Sequence, residues 1–163
     1  MQLSRLGAPC RLAPLLAAAA LVLCPPAMAR NDILTHPVAP LLNGDGRAVM
    51  GDLHIAFGGA TAGDGRTITA EVYAHGIGSS SDVGYRKPTD AEVCDRALLD
   101  ALNKLALAAR KVGATGIVGI VSSYQGRVLD DPAQVECHAG TLKSHVMLKA
   151  TLVRLETPAR NPE

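Results

Sequence analysis

The chain has no tryptophan, one phenylalanine and three tyrosines, so aromatic side chains make up 2% of its 163 residues. That scarcity argues against base stacking or an aromatic platform for sugars, both of which need exposed π-faces. An excess of charge of one sign is also missing. The formal net charge is +1 and there is no basic run, so nothing marks an electrostatic footprint for nucleic acid. No G-x-x-x-x-G-K-[ST] segment occurs, and the glycine-rich stretch 58–65 ends in Arg66-Thr67 without the lysine that would hold ATP phosphates. There is no paired C-x-x-C for zinc, no H-E-x-x-H and no G-x-S-x-G. Ser122 and Ser123 sit near Tyr124 at a predicted strand end, but no histidine can be assigned as their base, so they read as a polar strand terminus. Together these absences point away from nucleic acid and ATP, imply no cofactor and no catalytic residues, and give a non-enzymatic reading.

Apolar runs are short as well. Residues 12–23 form one, preceded by Arg5 and Arg11 and followed by Ala27-Met28-Ala29. Basic, apolar and small-residue regions in that order predict a secretory signal over residues 1–29, too short to span a bilayer. A buried N-terminal helix is the alternative. Cys24 raises lipidation as another, although Leu23 is bulky where a lipobox wants a small residue. Cleavage after Ala29 would place the protein in the periplasm or outside the cell, not across a membrane. The mature chain would lose Arg5 and Arg11 and no acidic residue, taking the net charge from +1 to about −1.

That cleavage would also remove Cys10 and Cys24 and leave Cys94 and Cys137. A pair of cysteines in an exported chain is most simply one disulfide, and two free buried thiols are the alternative.

The rest of the chain is organised around residues 89–121. Thr89-Asp90-Ala91-Glu92 has the form of a capping box, and Pro88 blocks any helix arriving from upstream. Val93, Ala97, Leu98, Ala101, Leu102, Leu105, Ala108 and Val112 recur at three- and four-residue steps as one apolar stripe. Gly113 suits the left-handed stop of that helix, and Ile117 to Val121 reads as a buried strand. Upstream, residues 30–50 carry Pro37, Pro40 and Asn43-Gly44-Asp45-Gly46, which predicts an extended arm with a turn. Alternation predicts strands over 52–57 and 67–75, with Asp64-Gly65 suited to a hairpin turn between them. A polar connection follows over 76–87. Downstream, 122–131 reads as a loop, 134–139 and 142–155 as strands, and 157–163 as a frayed, disordered tail. The expected architecture is α+β, with one long amphipathic helix on a small, mostly antiparallel sheet of about five strands, all within a single domain over 51–156.

The histidines offer the one candidate chemistry. His36 lies in the arm, and His54 and His75 lie on the polar faces of strands expected to be neighbours. If Thr141-Leu142 is a two-residue loop, His138 faces His145 across the ladder, with Glu136 and Met147 beside them. Two such imidazoles could hold a borderline or soft metal ion. A bulge at Gly140, with both rings as plain surface imidazoles, is the alternative.

The segment Val112-Gly113-Ala114-Thr115-Gly116-Ile117-Val118-Gly119-Ile120 resembles the Gly-Ala-Asn-Ala-Val-Val signature of small YbjQ-like domains, labelled heavy-metal-binding. It also resembles the disulfide-stapled periplasmic domain of the Rcs envelope-stress sensor lipoprotein. Glu136-Cys137-His138-Ala139-Gly140 and Val146-Met147-Leu148-Lys149 are similar to a group of exported proteobacterial proteins that often carry an excinuclease-subunit name. The likeness covers roughly residues 51–155, and Thr115 stands where the signature usually has Asn. It implies a small α+β sandwich and no established activity. The expected function is therefore that of an exported binding or envelope-associated module with a protein partner or self-association. Weak divalent-metal binding at His138 and His145 is the alternative.

Overall fold

The computed structural model describes residues 30–59, 65–81 and 86–155. The expected signal segment, the 157–163 tail and Asp64 of the expected hairpin turn lie outside them. In chain order the elements are β1 (Asp32–Pro37), α1 (Ala39–Leu42), α2 (Asp45–Met50), β2 (His54–Phe57), β3 (Arg66–Ser79), α3 (Asp90–Lys111), β4 (Gly116–Tyr124), β5 (Arg127–Leu129), β6 (Gln134–Ala139) and β7 (Lys143–Arg154).

The chain is α+β, but the expectation of one helix on about five strands is corrected. Among the described residues strand accounts for 46% and helix for 27%, so the domain is mostly sheet, a curled layer of seven strands with three helices. β7 organises it. Along one edge it pairs antiparallel with β3, and along the other with β6 and then β4, which lie end to end. β1 flanks β6, β5 folds back on β4, and β2 joins β4 in parallel. The expected β2–β3 hairpin is therefore absent, because β2 and β3 pair with different strands.

Residues 30–50 are also corrected. They form β1, α1 and α2, and Val38, Leu41 and Met50 enter the core. Pro37 closes β1 at a sheet margin, where a missing N–H is tolerated, and a proline stands in the first turn of α1, where that N–H has no intrahelical partner anyway. His36 is buried, with Nε2 at 2.8 Å from Asp95 Oδ1 of α3.

α3 begins with the capping box seen in its sequence. The Glu92 N–H donates to Thr89 Oγ1 at 3.3 Å, and the Thr89 N–H donates to Glu92 Oε2 at 2.7 Å. Its buried face comprises Val93, Cys94, Ala97, Leu98, Ala101, Leu102, Leu105, Ala106 and Ala109, whereas Val112 is exposed. That face lies over β3 at backbone contact distance. A Cβ on Gly76 would stand 1.8 Å from the Ala97 carbonyl oxygen, and one on Gly78 2.0 Å from that of Val93. Only glycine allows that approach, so 76–79 is the end of β3 rather than the polar connection expected. From this seat α3 also reaches the free edge of β3. Arg96 donates to the Ser79 carbonyl at 2.7 Å, Lys104 donates to that of His75 at 2.6 Å, and Asp100 accepts the Ile77 N–H at 2.9 Å.

β4 is longer than expected, and it keeps both Ile117 and Ile120 in the core through a register shift between Val118 and Val121. Gly119 supplies the positive φ of 60° at that bulge. The expected 122–131 loop instead holds the end of β4, a turn at Gln125 and Gly126 with φ of 49° and 82°, and β5. Positive φ at both central residues is the two-residue turn that matches strand twist.

Cys94 and Cys137 are disulfide-bonded, with Cα atoms 6.0 Å apart, 43 residues apart in sequence and no solvent exposure. The bond ties the first turn of α3 to β6. Closing a loop of that length contributes about 4 kcal/mol in the chain-entropy view, a large share of the roughly 5–15 kcal/mol that holds a domain together.

Two predictions follow from this packing. Cys94→Ser and Cys137→Ser should each lower the thermal midpoint by roughly 10–20 °C, and the double variant should be no worse than either, since all three lose the same bond. Additive losses on calorimetry would contradict it. Gly76→Ala should cost at least about 3 kcal/mol in denaturant unfolding, because the new methyl meets helix backbone rather than a movable side chain. A near-neutral result would mean that α3 does not depend on this seat.

Candidate binding face

The sheet has a helix-covered side and an outer side, and β7 separates them by alternation from Ser144 to Leu152. Ser144, Val146, Leu148, Ala150 and Leu152 are buried, while His145, Met147, Lys149 and Thr151 are partly exposed on the outer side. Leu142, which opened the strand expected over 142–155, lies in the β6–β7 turn and is 71% exposed.

The two-residue connection at Thr141 and Leu142 is present, closed by the Gly140 N–H donating to the Lys143 carbonyl at 2.9 Å. It brings His138 opposite His145 as ladder partners, as its sequence implies. The rings then part company. His138 is 2% exposed, and its Nε2 lies 2.6 Å from Glu136 Oε1. Its Nδ1 is buried and unpartnered among the described atoms. β4 leaves β7 after Ser122 to make room for β6, and Tyr124 lays its ring over His138 with centroids 3.5 Å apart. Glu136 also accepts from Arg127 of β5 at 2.9 Å. Burial raises the Glu136 pKa, but the bonds from His138 and Arg127, with their charges, outweigh it and hold the carboxyl below its usual range.

His145 meets a different histidine. β3 lies on the other edge of β7, with His75 opposite Met147 and Ile77 opposite His145. His75 Nε2 stands 2.9 Å from His145 Nδ1, and the two rings stack with centroids 5.0 Å apart. With Tyr124, Gln125 and Met147 they line an open hollow of about 270 Å³. That is below the roughly 300–1,000 Å³ of sites that enclose drug-sized ligands, so it suits an ion or a small group. Burial, then the neighbouring charge of His75, Lys143 and His138, lowers the His145 pKa and favours the neutral imidazole. His54, expected beside His75, stands on β2 against β4 instead.

Among the described residues no three His, Cys, Asp or Glu side chains gather as metal ligands. A larger hollow of about 350 Å³ lies at the end of α3, between Met50, Leu53 and Thr115. Its one strong donor, Arg110, is spent on the Val49 and Met50 carbonyls at 2.8 and 3.2 Å. Ser122 is buried and its Oγ accepts the Glu136 N–H at 2.7 Å, so it helps carry β6. No helix among the described residues is long and apolar enough to cross a membrane. No protein-family profile, curated protein or solved structure matches the chain.

His145 should titrate below the usual histidine value of about 6.5 in a proton-resolved NMR titration. A depressed folded value means that its contribution to stability is present above the unfolded pKa and is lost as pH falls through the folded one. Tyr73→Phe, on the same strand face but outside the pair, should leave that titration in place, and His75→Gln should move it. A His145 that titrates at or above 6.5 would contradict its partial burial beside a second imidazole.

Proposed function

We propose that this protein is an exported, non-enzymatic binding module that works through the outer face of its sheet. The observation that carries the reading is the hollow beside the His75–His145 pair, where polar rings and a thioether gather on the side away from α3. The buried Cys94–Cys137 bond supports an oxidising compartment, and with the basic, apolar and small-residue regions of 1–29 it supports a periplasmic or secreted protein cleaved after Ala29. The commitment of Ser122 to the Glu136 backbone supports binding over catalysis. A protein partner or a second copy of the chain is the occupant this reading assigns to the face. Kinship with small YbjQ-like exported domains is part of the same proposal. It is supported by the 112–120 segment, which ends α3 with Gly113 at a φ of 67° and begins the buried β4.

One preparation tests export and surface together. The exported protein should begin at Arg30, and an intact Met1 or a lipid on Cys24 would overturn that part. Photoreactive residues at Tyr73 and Gln125, on the outer side, should crosslink to a partner or second copy in the native compartment. The same residue at Asn103, on the solvent side of α3, should not. Equal crosslinking from Asn103 would overturn the assignment of the face.

A further inference from the structure

We propose that His75 Nε2, His145 Nδ1 and the Met147 thioether bind a soft monovalent metal ion, Cu(I), on the outer face of the sheet. The inference rests on the binding-face reading and names the small ligand that the face would take.

The three donors come from two paired strands and share one face. His75 is the ladder partner of Met147, and His145 lies two residues before Met147 on the same side of β7. All three line one hollow, and Tyr124 and Gln125 supply the rest of its wall. The two imidazole nitrogens already converge at 2.9 Å. Metal–nitrogen bonds of about 2 Å require them to part by up to about 1 Å. His75 is exposed, so its ring is free to turn by that amount.

The proton accounting is simple. Two neutral imidazoles share one N–H between Nε2 of His75 and Nδ1 of His145. Both nitrogens must offer a lone pair to the ion, so whichever ring carries that proton moves it to its other nitrogen through solvent. Neither ring loses a proton overall, and the site gains the charge of the ion alone.

The kind of ion follows from what the hollow lacks. Among the described residues no carboxylate lines it, and Lys143 adds positive charge near His145, so a divalent ion would stand there uncompensated. Zinc sites use three or four protein ligands drawn from Cys, His, Asp and Glu, and no such trio is gathered among the described residues. Thioether sulfur favours Cu(I), which is content with two imidazoles and one sulfur. This site differs from the His138–His145 pair that the sequence offered as the alternative reading. The Nε2 of His138 is engaged by Glu136 and its ring lies beneath Tyr124.

The test is an anaerobic titration of the mature protein with Cu(I) against a chromogenic Cu(I) chelator, with Ag(I) as a redox-inert stand-in and Zn(II) as comparator. One ion per chain is expected, with Cu(I) and Ag(I) preferred over Zn(II). His75→Gln and His145→Gln should each abolish binding, and Met147→Leu, which keeps the volume and drops the sulfur, should weaken Cu(I) binding and remove its preference over Zn(II). X-ray absorption of the loaded protein should show two nitrogen neighbours and one sulfur. His54→Gln should change nothing, and circular dichroism should show each variant folded. Absence of Cu(I) binding, binding that survives the two histidine variants, or a Zn(II) preference indifferent to Met147→Leu would overturn the proposal. If Cu(I) fails to bind while crosslinking from Tyr73 and Gln125 persists, the metal site is refuted and the binding face stands. If both fail, the face itself is wrong.

Discussion

The seating of α3 on β3 is the constraint on which the rest of the structure depends. Gly76 and Gly78 let the helix backbone touch the strand, where any larger residue would hold it off by more than an ångström. At that separation the short side chains of Ala97 and Ala101 suffice at the seat, so a chain poor in aromatics still closes a packed layer there. The same closeness lets Arg96, Asp100 and Lys104 reach the exposed backbone of β3 at Ser79, Ile77 and His75. Burial works against the Asp100 carboxylate, but hydrogen bonds from Lys104 and the Ile77 N–H leave its pKa below the usual range. An edge strand of 14 residues is a template for unwanted pairing, and here one end of it is occupied by the helix that covers its face.

Local signals in the chain were legible and nonlocal ones were not. The capping box at Thr89, the stripe from Val93 to Leu105 and the two-residue connection between β6 and β7 each depend on residues within a turn or two of one another. The Cys94–Cys137 bond spans 43 residues, yet it was readable because an exported chain would retain only those two cysteines. Residues 30–50 misled because Pro37 and Pro40 look like breaks. In the fold each proline sits where its missing N–H costs nothing, one closing a marginal strand and one opening a helix. The parallel pairing of β2 with β4 has no local signature at all, since only the intervening β3 and α3 carry the chain back to that register. Gly76-Ile77-Gly78 did carry a signal. Alternate glycines in a strand mark a close backbone approach as readily as a loop, and the alternation of the preceding residues continues through them.

The candidate site divides along the same line. His138 opposite His145 is a property of one short connection, so residue spacing alone implies it. Where their rings go is decided elsewhere. β4 and β6 share one edge of β7, so β4 must leave it, and Tyr124 is thereby delivered over His138. His75 meets His145 only because β3 crosses the whole sheet to the other edge of β7, 70 residues away in sequence. Period-two alternation placed His75 on a polar face but could not name the strand beside it.

The two sides of the sheet are mechanically linked, and that link bears on why the outer hollow has a defined shape. β7 carries the ligand-bearing His145 and Met147 on one side and Val146 and Leu148 of the core on the other. β6, its neighbour, is fastened through Cys137 to α3, and β3, its other neighbour, is fastened through Gly76 and Gly78 to the same helix. Both strands flanking His145 are thus held by one rigid element that never touches the hollow. A pair of imidazoles on freely moving strands would lose much of any binding energy in ordering them, whereas rings mounted on strands already fixed from behind lose little. The helix that makes a small aromatic-poor core possible is in this way also the support that sets the spacing of His75 and His145 on the opposite face.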